Sequence, residues 1–145
     1  MKLISKTLIA SLILIAGVAA AKEGVKDPTV KARMDLMGLN GKNSKILGEM
    51  AGGKTAFDAA AAAAAKAELM ATAAQIAAKF EVQATDPVSI AKPEIWANWA
   101  DFVAKAGALQ AAAAALDVAS LDSVKAGMGD VGGACKACHT TYRSE

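Results

Sequence analysis

Cys135, Cys138 and His139 stand within five consecutive positions near the end of the sequence, and they are the two cysteines and the one histidine of the 145-residue chain. On a helix, positions i, i+3 and i+4 share a face. Two thiols and an imidazole so placed suit one chemistry well: each thiol adds to a haem vinyl group while the imidazole turns to the iron. C-x-x-C-H is the pattern of c-type haem attachment. Three plainer readings compete with it. A Cys135–Cys138 disulfide would close a very small loop and stabilise little. A thioredoxin-like pair opens a helix after a strand, and no strand-like run precedes this one. A structural zinc site needs a fourth ligand, and the sequence holds no further Cys or His. Haem attachment is the reading that accounts for all three residues at once.

The ligand across the iron is less constrained. With one histidine in the chain, bis-histidine ligation within it is excluded, leaving methionine, a rarer ligand such as lysine, or none. Met34, Met37, Met50, Met70 and Met128 are available. Each is equally suited to filling a core, the commoner use of a helical methionine, and spacing alone does not choose among them.

Around these residues the sequence reads as an exported helical domain. "MKLISKTLIASLILIAGVAAA" has Lys2 and Lys6, an apolar run from Leu8 to Val18, then small residues, which is the layout of a secretory signal peptide. Cleavage after Ala20 or Ala21 is expected, with Ala21 preferred, so residues 1–21 are read as signal and 22–145 as the mature domain. An uncleaved anchor is the alternative, but the run falls short of the roughly 20 apolar residues of an ordinary span. Export implies the periplasm, an oxidising compartment. The whole chain has 16 basic and 14 acidic residues, and removing Lys2 and Lys6 leaves 14 of each. A near-neutral chain without a basic stripe argues against nucleic-acid binding.

Alanine dominates and strand-like runs are scarce, so the domain is predicted to be all-α. Asp27 caps a first helix over about 28–50, with Pro28 in its first turn. "GLNGKN" at 38–43 is its weak point. Thr55 is predicted to cap a second helix over 56–80, and Pro93 to open a third, ending near Leu116. Ser120 caps a fourth, over about 121–143, whose middle is weakened by Gly127, Gly129, Gly132 and Gly133. Four such helices with short connections suggest an antiparallel up-down-up-down four-helix bundle. Alanine fills little volume, and a large apolar group such as haem would complete the interior. Trp96, Trp99 and Phe102 recur on the third helix, as core filler or haem contacts.

The mature sequence resembles the class II c-type cytochromes, the cytochrome c-prime family. "GDVGGACKACHTTYR" at 129–143 is similar to the family's haem helix, with Arg143 four residues after His139, and "KPEIW" at 92–96 to the start of its third helix. Gas-binding members carry an arginine and, four residues on, an apolar residue that blocks the distal face. Here these positions are Arg33 and Met37, and "LMGLNGKNSKILGEM" is closer to the six-coordinate cytochrome c-556 branch. The resemblance implies one covalent haem c on Cys135 and Cys138, iron held by His139 and Met37, and Arg33 near a haem propionate. Met34 is the fallback ligand, and Arg33 is alternatively a solvated surface residue. Gly38 and Gly41 would let the first helix approach the porphyrin.

The expected function is electron carriage between transient periplasmic redox partners, without enzymatic activity and without stable membrane insertion once the signal is removed. The alternative is a five-coordinate protein that binds nitric oxide or carbon monoxide. Peroxidase-like chemistry would need a distal acid–base group, normally a histidine, and none is left to supply it. A homodimer is common in the family, and an exposed alanine-rich helix face is its candidate surface.

Overall fold

Residues 24–145 are described by a computed structural model of the chain. The expected signal peptide lies outside the described residues. Among the described residues six helices follow in order: α1 (Pro28–Ala51), α2 (Ala59–Ala73), α3 (Ile76–Phe80), α4 (Glu94–Ala97), α5 (Trp99–Ala115) and α6 (Leu121–Tyr142). The short α3 extends α2, and the short α4 leads into α5. α1 packs on α2, α2 on α5, α5 on α6 and α6 on α1. This closed ring of sequential neighbours is the up-down-up-down bundle.

Local chemistry explains the boundaries. Asp27 Oδ1 accepts from the backbone N–H of Thr29 and Val30 at 2.8 and 2.9 Å, and Ser120 Oγ from Ser123 N at 3.1 Å. Both are the expected caps. The second helix, however, begins at Asp58 rather than Thr55: Asp58 Oδ1 accepts from Ala61 N at 2.9 Å. Aspartate caps better than threonine, and it stands next to the alanine run.

α1 runs unbroken through "GLNGKN", where Asn43 Nδ2 bonds back to Leu39 O at 2.9 Å. α6 is likewise continuous through its glycines. At Gly127 an added Cβ would lie 2.6 Å from Leu116 Cδ1, so this glycine lets the end of α5 close on α6.

Two predicted helices are interrupted. The second breaks at Ala74–Gln75, where Gln75 N bonds to Thr72 O at 3.1 Å, a tight three-residue step. Thr72 contributes, because its hydroxyl lies 2.7 Å from Glu68 O, a back-bond that bends helices. The third breaks at Asn98, whose side chain donates to Glu94 O at 3.2 Å and whose backbone leaves the helical region at φ −122°, ψ 45°.

The core is aliphatic at one end, with Leu47, Leu69 and Leu116 essentially inaccessible, and aromatic at the other. There Phe102 sits 5.2 Å from Phe80, 5.5 Å from Trp99 and 5.4 Å edge-on from Tyr142. Buried Ala62, Ala65, Ala73, Ala106 and Ala113 let the helices approach closely between the two. Among the described residues no helix is long and apolar enough to cross a membrane.

Candidate functional site

Val131, Cys135, Cys138 and Tyr142 follow one another at steps of four, three and four along α6, the repeat of a buried helix face. Val131 and Tyr142 are buried in the core and hold that face inward. Both cysteines are free and half-buried, and burial pushes both thiols up, Lys105 opposing it at Cys138. His139, one step around the helix, is exposed in the polypeptide and lines two cavities. Its pKa is lowered by desolvation and by the neighbouring positive charge of Arg143. A neutral imidazole is the form that ligates a metal.

The larger cavity, about 480 Å³, lies between α1 and α6 near the aromatic end, with Val30, Arg33, Met34, Phe102 and Tyr142 in its walls. The smaller, about 260 Å³, runs deeper between α1, α5 and α6, past Asn40, Ser44, Ala106, Leu109 and Cys135. Met37 and Gly41 of α1, and Cys138 and His139 of α6, line both. The two spaces are thus halves of one slot that meet between Met37 on one wall and His139 on the other. At Gly38 and Gly41 an added Cβ would meet no atom within 4 Å. The α1 wall is bare backbone there, as a flat group lying against it requires.

Arg33 is not a solvated surface arginine. It is 3% exposed. Its Nε donates to Lys79 O at 2.9 Å, Nη1 to Ala84 O at 3.2 Å and Nη2 to Val82 O. Its guanidinium carbon lies 5.0 Å from the Phe80 ring centre and 5.2 Å from that of Trp96. Desolvation lowers its pKa, partly opposed by the charge of Asp27. Its side chain fastens the segment after α3 to the wall of the larger cavity.

That segment, residues 81–92, contributes Ser89, Ile90 and Ala91 to the wall of the larger half. Asp86 ties it to the start of α1, accepting from Lys26 N, Asp27 N and Val88 N at 2.8, 3.0 and 3.1 Å. These N–H groups hold the carboxyl below the usual carboxylate range. Its other end joins the end of α6 through Lys92 N to Tyr142 O at 3.0 Å, Ser144 N to Ile90 O at 2.9 Å and an Ala91–Arg143 bridge. Next to it, Tyr142 Oη donates to Asp101 Oδ2 at 2.5 Å, and Asp101 is paired with Lys105 at 2.7 Å.

The slot thus brings together Cys138, His139, Met37 and Arg33, with Cys135 in its deeper half. Met34 lines the larger half, whereas Met50 is part of the core. Phe102 of the aromatic triplet faces the cavity; Trp96 donates its indole N–H to Phe80 O at 2.8 Å and packs against Arg33. Asn40, Ser44 and the 89–91 wall carried no signal in the sequence, although Asn40 and Ser44 follow Met37 at helical spacing. Among the described residues no cluster of three or more His, Cys, Asp or Glu side chains could hold a bare metal ion.

The family model described as Cytochrome C' matches residues 28–143, from the first turn of α1 to the end of α6. The chain belongs to the cytochrome c' family. Among its relatives, cytochrome c-556 of Rhodopseudomonas palustris is 30% identical over 142 residues, covering 93% of each chain. The solved cytochrome c' from Rhodobacter Spheriodes superposes with a TM-score of 0.75 at 31% identity, covering 81% of this chain and 95% of that one. A nitric oxide complex of a mutant cytochrome c prime from Alcaligenes xylosoxidans gives 0.70 at 32% identity, covering 81% and 94%.

Cytochromes of this family carry a covalent haem c with its iron, and haem c is the cofactor of this member. The residues present fit it. The slot has an apolar lining, paired thiols and a neutral imidazole on one wall, and side-chain-free backbone on the other. Its two halves together lie within the roughly 300–1,000 Å³ of cofactor-sized pockets.

Proposed function

We propose that this cytochrome c' family member carries single electrons in the periplasm, through a haem c attached at Cys135 and Cys138 and ligated by His139 and Met37. The observation that carries this reading is the placement of Met37 and His139 on facing walls of one slot, both lining its two halves. Once bound, the haem would supply a one-electron Fe(III)/Fe(II) couple, whose potential methionine ligation and burial would raise.

The chain's residues do the rest. The two thiols fix the cofactor so that it is not lost. His139 offers a neutral nitrogen, favoured by partial desolvation and by the charge of Arg143. Met37 offers a soft thioether, which suits iron in both oxidation states, so that little moves when an electron arrives. Arg33 is positioned on the larger half as a positive group for a haem propionate: three of its five N–H donors go to backbone carbonyls and the others remain. Partners bind transiently at the slot's mouth. A second reading draws on relatives solved with nitric oxide or carbon monoxide bound. In it Met37 yields the sixth position to a gas.

Absorption spectra of the haem-loaded protein separate the two. The ferric and dithionite-reduced forms are recorded with and without carbon monoxide, for wild type and Met37→Ala. The expected wild type is low-spin with a ferric Met–Fe charge-transfer band that the variant loses. A high-spin wild type that takes up carbon monoxide readily would make gas binding the function instead.

A further inference from the structure

The smaller half of the slot contains a polar group that neither the bundle nor the proposed ligation uses. Asn40 is 6% exposed, lines this space beside Met37, and leaves its Nδ2 without a hydrogen-bond partner. A buried amide N–H without a partner is costly, and folds rarely leave one without a reason. Asn40 is held from outside the slot. Thr72 Oγ1 on α2 lies 2.7 Å from Asn40 Oδ1, a bond that turns the amide nitrogen away from Thr72. The same hydroxyl also lies 2.7 Å from Glu68 O and 3.2 Å from Leu69 O, so it has one proton for three acceptors.

Helix geometry says what the free donor can reach. Asn40 follows Met37 by three residues, and such pairs are neighbours on a helix surface. Helical side chains also lean toward the N-terminus, so the Asn40 carboxamide lies over the turn that carries Met37. The acceptor that this turn brings into the shared space is the Met37 thioether, a weak one in general. The Leu36 carbonyl, one turn back, is not bonded by Asn40, although Asn43 of the same helix does donate to Leu39 O.

We propose that Asn40 is a positioning residue for Met37: its Nδ2–H, unpartnered in the polypeptide alone, donates to the Met37 sulfur once haem fills the slot and holds a thioether lone pair toward His139. The proposal rests on Met37 as the distal ligand. Its consequence is a sixth position that resists exchange. A carbon monoxide molecule must displace a thioether held by both the metal and the amide, so the asparagine biases the site toward electron carriage.

The test is the carbon monoxide affinity of the haem-loaded ferrous protein for wild type, Asn40→Leu, Thr72→Val, Met37→Ala and the Asn40→Leu/Met37→Ala double variant. Loss of one net hydrogen bond corresponds to a rise in affinity of about two- to tenfold. That rise is expected for Asn40→Leu and in the same direction for Thr72→Val, which alters α2 and leaves the slot's lining unchanged. It is expected to vanish in the Met37→Ala background, where no thioether remains to be held. A rise that persists there would show a packing effect and overturn the proposal. An unchanged affinity in both single variants would do the same. A fall would place the amide oxygen, not the nitrogen, against the sulfur, and would also overturn it. The ferric Met–Fe band of wild type separates the two levels: if it is absent, the Met37 assignment fails and Asn40 with it; if it is present and Asn40→Leu has no effect, only the positioning role fails.

Discussion

Gly41 and Gly129 make a matched pair that tests the slot by the sign of a stability change. Both are helical glycines at which an added Cβ meets no atom within 4 Å of the polypeptide. By helix propensity alone, Gly→Leu at either site gains about 0.5–1 kcal/mol. Gly129 lines neither cavity, so Gly129→Leu keeps that gain. Gly41 lines both halves, and the open space beside it is what the cofactor takes. Gly41→Leu in the haem-loaded protein therefore adds an overpacking cost of about 1–3 kcal/mol. The net expectation is a loss of about 0.5–2 kcal/mol after the propensity gain is subtracted.

For a domain of this size 1 kcal/mol moves the midpoint by about 3–5 °C. Thermal unfolding of the two haem-loaded variants, followed by helix circular dichroism and Soret absorbance, should thus show Gly129→Leu melting about 2–5 °C above wild type and Gly41→Leu about 2–10 °C below it. A red or blue shift of the Soret band is expected in Gly41→Leu alone. If both variants rise together, the bare stretch of α1 is not where the porphyrin lies, and the slot has been assigned to the wrong wall.

The hydrogen bond to Asp101 raises the pKa of Tyr142, the chain's single tyrosine, to about 12. A folded value above the ordinary one of about 10 means that its stabilisation is whole below about pH 10 and is lost as pH rises through about 12. Ultraviolet titration of tyrosinate should show this late step, and Asp101→Asn should bring it down; a wild-type step near pH 10 would show that the bond does not persist in solution. Asp101, held below its usual range by Lys105 and Tyr142, acts in the opposite sense: its contribution is present above about pH 4 and is lost as pH falls through its lowered folded value. Arg33→Leu removes a buried positive charge beside the larger half of the slot and is expected to lower the reduction potential, since a nearby cation favours the ferrous state; voltammetry giving an unchanged potential would refute that coupling.

Cys135, Cys138 and His139 could be read without a structure because their chemistry is local. Their spacing on one helix face is a property of the chain, and so are the caps Asp27 and Ser120, each of which bonds to N–H groups two or three residues away. The breaks at Ala74 and Asn98 and the start at Asp58 were less legible. They turn on competition between a side chain and the helix's own carbonyls, and threonine, asparagine and aspartate stand at many positions where that competition goes the other way.

Tertiary structure decided everything that depends on which helix faces which. Five methionines had equal standing by spacing, and only the packing of α1 against α6 sets Met37 in both halves of the slot while Met50 goes to the core. By sequence Arg33 was either a propionate contact or a surface cation; only the segment after α3, folding back to give it three carbonyls and two aromatic rings, takes it off the surface. Asn40 had no signal at all, because an unpaired amide becomes meaningful only once burial removes water and Thr72, 32 residues away, takes its other end. The sequence by itself determined which groups can do the chemistry; the bundle decided which of them meet, because burial and facing are properties of helix pairs and not of any one helix.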